Sequence, residues 1–396
     1  MSDVFTGVFT QQEPIPDEAI NAAVAVMKSG RLHRYNTVGD ERSETDLLET
    51  EFAESVGAKY CLAVASGGYA LSCALRAMGI SAGDPVLTNA FTLAPVPGSI
   101  AAVGATPVFV EITEDLVIDL DDLRRKAEET GAKTLMLSHM RGHIVDMEAI
   151  QVLCCDLGIT MVEDCAHTMG ASWNGKPSGR FGLIGCFSTQ TYKHVNSGEG
   201  GLLVTDKAEV MARAIMLSGS YMFYAKHHAG PDAAMYSDIR LDTPNNSGRM
   251  DNLRAAILRP QLARLKDQCE AWNARYRVLE DALRDHPQVH LAYRPQAEGY
   301  VASSFQLRVP SWSEAQILAY MDRCLKRGVE LKWFGRDEPV GYTSRHDSWR
   351  YATRQDMPRT DQVLSTLLDM RIPLTFSLDD CAHIGRILRE ELATAA

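Results

Sequence analysis

The middle of the chain repeats one pattern: a short apolar run, a turn, and then a segment with helical periodicity. Most of the apolar runs are nearly continuous rather than alternating. A continuous run indicates a strand that is covered on both faces, as in a largely parallel sheet. Seven runs follow this pattern, at residues 61–66, 85–90, 106–112, 134–140, 159–164, 184–190 and 201–206.

Helical segments fill several of the gaps between these runs. The segment 69–78 carries apolar side chains on one face, and the segment 121–130 is charged and ends at Gly131. Asp146 is placed to cap a third helix, which Gly158 ends. Strands that alternate with helices predict an α/β domain with a mainly parallel seven-stranded sheet.

The pattern changes beyond residue 250. Residues 251–284 form a long helical pattern with Pro260 inside it, so we expect a kink or break there. We therefore predict a large domain over residues 1–250, which includes an N-terminal arm, and a smaller C-terminal α/β domain over residues 251–396. In the smaller domain we expect strands at 289–293, 300–309 and 329–334, and a helix at 315–327 after a capping box at 311–314.

The composition argues against several classes of protein. The net charge is −11 and no basic cluster occurs, which disfavours nucleic acid as a partner. No stretch approaches the roughly 18 apolar residues of a membrane helix, and the first residues lack the pattern of a secretory signal. The nine cysteines contain no CxxC pair, so neither a metal site nor a disulfide framework is indicated. We expect a cytoplasmic protein with no membrane partner.

Polar residues and glycines follow several predicted strands, where open α/β sheets bind their ligands. The Ser-Gly-Gly sequence at 66–68 opens directly into a helix, and Gly67 and Gly68 allow backbone N–H groups to approach an anion. This segment is either a phosphate site or a tight strand-to-helix turn. Of Glu163 and Asp164, only one can face a given site, because adjacent strand residues point to opposite faces.

A single lysine, Lys193, follows the run 184–190, and Ser188 lies five residues before it. Such a lysine is either a surface residue or, in a partly desolvated pocket, a nucleophile that forms imines with carbonyl compounds. Together these strand ends offer an anion cradle, an acid, a lysine and a serine. Pyridoxal phosphate (PLP) needs each of them, because it carries a phosphate, an aldehyde and a ring nitrogen.

Four longer stretches match a known family in the right order: FAESVGAKYCLAVASG, AFTLAPVPGSIAAVGATPVFVEI, VEDCAHTMGASWNGKPSGRFGLIGCFS and YKHVNSGEGGLLVTD. On these residues the chain resembles the DegT/DnrJ/EryC1/StrS family of PLP-dependent (sugar) aminotransferases. The resemblance covers nearly the whole chain and is dense from Glu49 to Leu265. It implies the aspartate-aminotransferase fold type I, with a large domain and a smaller C-terminal α/β domain.

The resemblance implies roles for individual residues. Lys193 corresponds to the lysine that forms the Schiff base with PLP and shuttles the proton. Asp164, rather than Glu163, corresponds to the acid that pairs with the ring nitrogen. Further cofactor contacts are implied for Phe91 stacking on the ring, His167 beside the ring and its phenolic oxygen, and Ser188, Gly67 and Gly68 at the phosphate.

Three positions depart from the family pattern. Gly68 stands where the family usually has Thr or Ser, so a hydroxyl contact to the phosphate is lost. Ser247 stands at the offset of the family's asparagine that reaches the partner subunit's phosphate, and we assign that contact to Asn246, one residue earlier. Arg141 stands in HMRG where other members have HxYG, and we expect it to alter substrate recognition.

The resemblance also implies an activity and an assembly. We expect ping-pong transfer of an amino group from an amino acid, glutamate or glutamine, to a keto-sugar, a nucleotide-linked keto-sugar or a ketocyclitol. The expected assembly is a homodimer with shared active sites. A family dehydratase, which has His in place of the lysine, and a non-catalytic PLP-binding regulatory protein are the alternatives. An NAD-dependent oxidoreductase is expected to carry a GxGxxG motif after its first strand. The segment SGGYALSC at this position lacks that motif.

Substrate contacts are expected from segments outside these motifs. The sequence GRLHRYN offers Arg31 and Tyr35, which either clamp an anionic group or form a solvated turn. Residues 221–242 fit neither the strand nor the helix period and are predicted to form a long loop, in which Tyr221 either lines the acceptor pocket or lies at the surface. Arg141 completes this set of candidate substrate-binding residues.

Overall fold

A seven-stranded sheet with helices on both faces dominates the computed structural model, which describes residues 3–393. The helices are α1 (Asp17–Ser29), α2 (Glu44–Val56), α3 (Gly67–Ala77), α4 (Pro95–Ala102), α5 (Leu120–Thr130), α6 (Met147–Leu157), α7 (Ala208–Leu217), α8 (Tyr236–Asp242), α9 (Asn252–Ala263), α10 (Leu265–Leu283), α11 (Glu314–Lys326), α12 (Pro358–Leu364) and α13 (Leu378–Ala393). The strands are β1 (Tyr60–Val64), β2 (Pro85–Asn89), β3 (Thr106–Val110), β4 (Thr134–Ser138), β5 (Thr160–Asp164), β6 (Ser172–Trp173), β7 (Lys176–Pro177), β8 (Ile184–Ser188), β9 (Gly201–Thr205), β10 (Glu298–Gly299), β11 (Ser304–Arg308), β12 (Lys332–Trp333) and β13 (Leu367–Arg371).

The strand order of the large sheet is β1-β9-β8-β5-β4-β2-β3. Strand β9 is antiparallel to both of its neighbours, and every other adjacent pair is parallel. Each of the seven predicted apolar runs contains or overlaps one of these strands. The predicted α/β class with a mainly parallel seven-stranded sheet is therefore confirmed.

Burial explains why the runs are continuously apolar. Every residue of β4, β8 and β9 is buried. One face of the sheet packs with α3 and α7 into a core of small and branched side chains. The other face packs with α5 and α6 into a second core, which continues into the C-terminal helices. A sheet covered on both faces has no solvent side, so the strands show no alternation.

Local capping chemistry sets the helix ends that the sequence predicts. The side chain of Asp146 accepts hydrogen bonds from the backbone N–H groups of Glu148 and Ala149 at the start of α6. Gly131 and Gly158 adopt left-handed backbone conformations at the ends of α5 and α6, with φ of 69° and 63°. A glycine accepts this conformation without the steric cost that a Cβ imposes.

The predicted break in the long helical segment is confirmed. Helix α9 ends at Ala263 and α10 begins at Leu265, one turn after Pro260. The capping box before α11 is offset from the prediction, because Ser313 and Gln316 exchange the two hydrogen bonds. The start of the helix at Glu314 is close to the predicted one.

The C-terminal part of the chain differs more from the prediction. Its sheet has the order β11-β13-β12, and the sequence reasoning missed β13. Residues 289–293 form no strand, since only His290 makes an isolated bridge, to Arg308. Residues 221–242 are not one loop but contain two short 3₁₀ turns and α8. Within residues 3–393, no helix combines the length and apolarity that crossing a bilayer requires.

Glu163 holds the connection that follows β5. Its fully buried carboxylate accepts hydrogen bonds from the backbone N–H groups of Gly179, Phe181 and Gly182 at 2.9, 2.7 and 2.7 Å. His139 lies 3.2 Å from the same carboxylate. Burial pushes the pKa of Glu163 upward, but these hydrogen bonds outweigh it and leave the pKa below its usual value.

We predict that Glu163→Ala lowers the free energy of unfolding by about 3 kcal/mol, because it leaves the buried N–H group of Gly179 and the part-buried N–H groups of Phe181 and Gly182 without acceptors. Chemical denaturation measures this change. Glu128→Ala is the matched control, since the Glu128 side chain is 60% exposed and its ion pair with Arg124 is 3.9 Å long. If both variants lost the same free energy of unfolding, the prediction for the Glu163 carboxylate would be wrong.

Candidate active site

The carboxyl ends of β5 and β8 open into a cavity of about 510 Å³. Asp164, Ser188 and Lys193 line it, together with the first turn of α3. Because β4, β5 and β8 are parallel neighbours, their ends meet at one edge of the sheet. Residues from the C-terminal sheet and from the segment 341–349 also line the cavity. The cavity has the size of a small-molecule site.

A short hydrogen-bond chain orients Asp164. Its Oδ2 accepts from the hydroxyl of Ser138 at 2.9 Å, and its Oδ1 accepts from the backbone N–H of Ala166 at 3.2 Å. The Ser138 hydroxyl in turn accepts from Thr92 at 2.8 Å. The side chain of Asn89 braces Ser138 by pairing with its backbone N–H and C=O. The carboxylate is therefore fixed at the cavity wall by partners from two other strand ends.

Lys193 and His167 are in direct contact. The amine nitrogen Nζ of Lys193 lies 2.8 Å from Nε2 of His167, and the backbone N–H of Arg141 donates to Nδ1 of His167 at 3.3 Å. Burial, reinforced by the charge of Lys193, lowers the pKa of His167 well below its usual value, so the imidazole is neutral. Since Nδ1 accepts, the proton is on Nε2 and is donated to the amine nitrogen.

The amine of Lys193 is itself tuned toward neutrality. Burial lowers its pKa to about 7, against the opposing effect of Asp164 and with the help of Arg141 and Arg371. An uncharged amine has the free lone pair that addition to a carbonyl requires. The cavity thus meets the chemical condition for an imine-forming lysine.

We predict that the free amine of Lys193 loses its proton near pH 7, so that the reactive neutral form predominates above this pH and the ammonium form below it. Competitive labelling of the cofactor-free protein with acetic anhydride, from about pH 5 to about pH 10, reads this titration by peptide mass spectrometry. The exposed Lys207 serves as the internal reference. A labelling profile of Lys193 that coincided with that of Lys207 would contradict the prediction.

The lining of the cavity also includes an anion cradle. Ser66 caps α3 by accepting from the backbone N–H of Tyr69 at 3.1 Å, and Gly67 and Gly68 form the first turn. A Cβ on Gly67 would lie 2.8 Å from the Cβ of Ser188. A Cβ on Gly201 would lie 2.4 Å from the carbonyl oxygen of Ser66. Both glycines let the helix N-terminus, which favours negative charge, approach the sheet edge.

We predict that Gly67→Ala weakens retention of the cofactor phosphate at least about tenfold, because the added methyl displaces Ser188 from the cradle. Gly68→Ala is the matched control, since its Cβ would meet only Pro95, at an ordinary 3.6 Å. Dialysis followed by measurement of bound PLP per chain compares the variants. Equal retention by both would contradict the role of the close approach at Gly67.

The structure brings only part of the predicted set together. Asp164, His167, Ser188, Lys193, Gly67, Gly68 and Arg141 all line the cavity. Phe91 does not, because its ring is fully buried against Phe334, with centroids 5.1 Å apart. In this arrangement the face of the Phe91 ring is not open to the cavity, and stacking on a cofactor ring stays a prediction.

The remaining candidates lie outside the cavity. Asn246 is exposed, and its carbonyl accepts a hydrogen bond from the hydroxyl of Tyr69. Arg31 pairs with Glu41 at the surface. Tyr35 is buried and contacts His227, whereas Tyr221 is 51% exposed. Within one copy of the chain, none of these four side chains reaches the cavity.

Several cavity residues were missed by the sequence reasoning. Ser138 was also missed; it orients Asp164 rather than lining the cavity, and its polarity in the predicted apolar run 134–140 was an available signal. Tyr192 precedes Lys193, and Tyr342 and Arg371 come from the C-terminal region. No local pattern marked the last two, because their position depends on how the C-terminal sheet packs.

The donor set fits PLP. Asp164 offers a fixed carboxylate, Lys193 offers an uncharged amine, and the glycine turn with Ser188 offers an anion cradle. These are the groups that the ring nitrogen, the aldehyde and the phosphate of PLP require. Together with the sheet topology, they define a fold type I PLP-dependent enzyme.

Comparisons with known proteins identify the family. A sequence profile of the DegT/DnrJ/EryC1/StrS aminotransferase family matches residues 14–389. GDP-perosamine synthase of Vibrio cholerae is 34% identical over 56% of this chain and 57% of its own length. A putative L-glutamine:3-amino-2,3-dideoxy-scyllo-inosose aminotransferase of Micromonospora echinospora is 35% identical over 54% of this chain and 49% of its own length. The chain thus spans about half the length of these two relatives.

A solved structure agrees over the full length. The crystal structure of 3-amino-5-hydroxybenzoic acid synthase superposes with a TM-score of 0.82 at 25% identity, covering 98% of this chain and 99% of that one. The chain therefore belongs to the DegT/DnrJ/EryC1/StrS aminotransferase family. Its cofactor is PLP, as in the aminotransferases of this family.

Proposed function

We propose that the protein transfers an amino group from an amino acid donor, glutamate or glutamine, to a keto-sugar, a nucleotide-linked keto-sugar or a ketocyclitol. The observation that carries this proposal is the buried amine of Lys193, whose pKa is lowered to about 7 in a cavity that also holds Asp164. A lysine in this state can exchange its place with the amine of an incoming substrate.

Each group of the site has a separate role in the proposed reaction. PLP, when bound, supplies an electron-withdrawing ring that stabilises negative charge on the carbon bearing the amino group. With PLP bound, Nζ of Lys193 would take up the proton from that carbon in the donor half of the reaction and would release a proton to the acceptor carbon in the other half. Asp164, which Ser138 orients, would keep the ring nitrogen protonated, and His167 holds the lysine amine in position.

The names of the relatives support a small keto compound as acceptor. They include a GDP-linked product, a scyllo-inosose with L-glutamine as donor, and an aminohydroxybenzoic acid. The compounds in these names therefore differ, while each of them is an amino compound. The class of acceptor given above rests on this range of names.

The residues of the site favour transamination over the two alternatives. A family dehydratase has His in place of the lysine, whereas Lys193 is retained here and the adjacent His194 is hydrogen-bonded to the carbonyl of Met169 and to Ser303. A purely regulatory PLP-binding protein has no need for the amine–imidazole contact of Lys193 and His167. Transamination uses both the amine of Lys193 and its contact with His167.

We further propose that two copies of the chain share their active sites. Asn246 and Tyr221 are exposed and Arg31 is half-buried and paired with Glu41, and all three lie outside the cavity of their own chain. In a homodimer they would be available to the cavity of the second copy, with Asn246 directed to its cofactor phosphate. Tyr35, which is buried against His227, would support this surface rather than contact substrate.

We predict that Lys193→Ala lowers amino transfer on the order of 10³-fold or more, because both the covalent attachment and the proton transfer are lost. The assay incubates the aminated form of the enzyme with a panel of keto-sugars, ketocyclitols and keto acids and follows the cofactor absorbance. Lys207→Ala, at an exposed position, is the control. Full activity of Lys193→Ala, or borohydride reduction that left residue 193 unmodified in the native protein, would refute the proposal.

A further inference from the structure

The segment 337–357, between β12 and α12, carries aromatic side chains that the proposed chemistry does not use. Trp349 lines the cavity and is half-buried. Tyr351, two residues later, is 49% exposed. Large aromatic surface beside an accessible cavity indicates a binding site rather than a part of the protein core.

Ion pairs fix the middle of this segment. The guanidinium of Arg345 lies 3.2 Å from a carboxylate oxygen of Asp347 and 3.1 Å from one of Asp361. Nε2 of His346 lies 2.9 Å from the same oxygen of Asp361. Asp361 belongs to α12, so these contacts tie the segment to the helix that follows it.

Gln355 attaches the same segment to the edge of the large sheet. Its side-chain oxygen accepts from the backbone N–H of Phe109 at 2.9 Å, and its side-chain nitrogen donates to the carbonyl of Pro107 at 2.9 Å. Both partners belong to β3, the last strand in the order of the sheet. Trp349 and Tyr351 therefore lie between two anchored points, and their rings are positioned before any ligand binds.

The rings of Trp349 and Tyr351 have a fixed mutual orientation. Their planes lie within 9° of parallel, with centroids 6.1 Å apart. The hydroxyl of Tyr351 donates to the carbonyl of Ala94 at 3.4 Å, and Ala94 lines the cavity together with Trp349. The aromatic pair thus borders the cavity beside the segment that contains Ala94.

Trp349 differs from the tyrosines that line the cavity. The rings of Tyr192 and Tyr342 hold the guanidinium of Arg371, whose central carbon lies 3.4 and 5.2 Å from their centroids. Trp349 pairs instead with another aromatic ring, that of Tyr351. An indole surface suits a flat ligand ring, because stacking needs a π-face and no particular pattern of hydrogen bonds.

The residue after Trp349 adds a positive charge. Arg350 is exposed, and a guanidinium suits phosphate, which it can bind with two parallel hydrogen bonds. A flat ring and phosphate groups occur together in a nucleotide. Among the three kinds of acceptor in the proposed function, only the nucleotide-linked keto-sugar carries both.

We propose that Trp349 stacks on the base of a nucleotide-linked keto-sugar and that Arg350 contacts its diphosphate. This inference rests on the proposed function, because it selects one of the three classes of acceptor named there. Stacking tolerates different bases, since every base presents a π-face. The two residues therefore recognise the nucleotide part of the acceptor rather than one particular base.

Binding of nucleoside diphosphates provides the first test, because it needs no turnover. The diphosphates of uridine, thymidine, guanosine, cytidine and adenosine are titrated into the PLP-loaded enzyme by calorimetry. For those that bind, we expect Trp349→Ala to raise the Kd about fivefold to a hundredfold, as for the loss of one base–aromatic stack. Tyr293→Ala is the matched control, because Tyr293 is 71% exposed and does not line the cavity. An unchanged affinity in Trp349→Ala, or no saturable binding to the native enzyme, would overturn the proposal.

Inorganic pyrophosphate separates the two contacts, because it carries the phosphates without a base. We expect Arg350→Gln to weaken its binding about twofold to fivefold, as for the loss of an exposed ion pair. Arg284→Gln is the matched control, since the Arg284 side chain is 58% exposed just after α10. If Arg350→Gln bound pyrophosphate as the native enzyme does, the phosphate contact would be wrong. If Trp349→Ala weakened pyrophosphate as much as the nucleotides, the stacking contact would be wrong.

A cyclitol tests the competing source of a ring. The affinity of myo-inositol, which has a ring and no phosphate, is measured for the same variants. A loss of myo-inositol binding in Trp349→Ala, with nucleoside diphosphate binding unchanged, would assign Trp349 to a cyclitol and overturn the proposal.

Fluorescence separates stacking from a general change of the fold. Of the five tryptophans, Trp349 is half-buried and the other four, at 173, 272, 312 and 333, are buried. A base that stacks on Trp349 quenches its emission, so we expect a nucleoside diphosphate to quench the native protein. Trp349→Phe keeps an aromatic face, and we expect it to retain most of the affinity and to lose the quenching. Quenching that persisted in Trp349→Phe would overturn the proposal.

The test of this inference is separable from that of the proposed function. If no amino donor reacts with the native enzyme, transamination fails as the function, whereas nucleotide binding still decides the role of Trp349. If a ketocyclitol accepts the amino group and no nucleoside diphosphate binds, the proposed function stands and this inference fails.

Discussion

The rest of the site depends on the burial of one amine. Desolvation lowers the pKa of Lys193, and the charges of Arg141 and Arg371 act in the same direction, while Asp164 opposes them. His167 completes the arrangement by contacting the amine at 2.8 Å. A lysine placed at the surface of the same sheet would stay charged and could not attack a carbonyl group, so the walls of the cavity are as much a part of the chemistry as the amine.

Two adjacent acids of β5 show how the scaffold supports this chemistry. Asp164 faces the cavity and is oriented by Ser138, whereas Glu163 points to the other side and binds the backbone of residues 179–182. Strand alternation thus assigns one carboxylate to the ligand side and the other to the structure. The sequence alone left the choice open, and only the resemblance to a family selected Asp164.

The sequence predicted the two parts of the chain unequally well. The strands of the large sheet were found because a doubly covered strand is apolar along its whole length, as in β8. Strand β13 was missed because it contains Asp369 and Arg371. The burial of Asp369 is explained by partners distant in sequence, Gln306 and Arg141. The same limit applies to the site: Lys193 and Ser188 follow a recognisable strand, but Arg371 reaches the cavity only through the packing of the second sheet.

The amino-acid order by itself determined the layered α/β class and the position of the glycine turn, and it marked Lys193 and the pair Glu163 and Asp164 as candidates, because these depend on local periodicity and on strand ends; the resemblance to a family then selected among their roles. Tertiary structure decided which groups share one cavity. It buried Phe91 against Phe334, left Asn246 at the surface, and brought Arg371 beside Tyr192. Contacts between residues far apart in the chain depend on the free energy of packing, which no local pattern encodes.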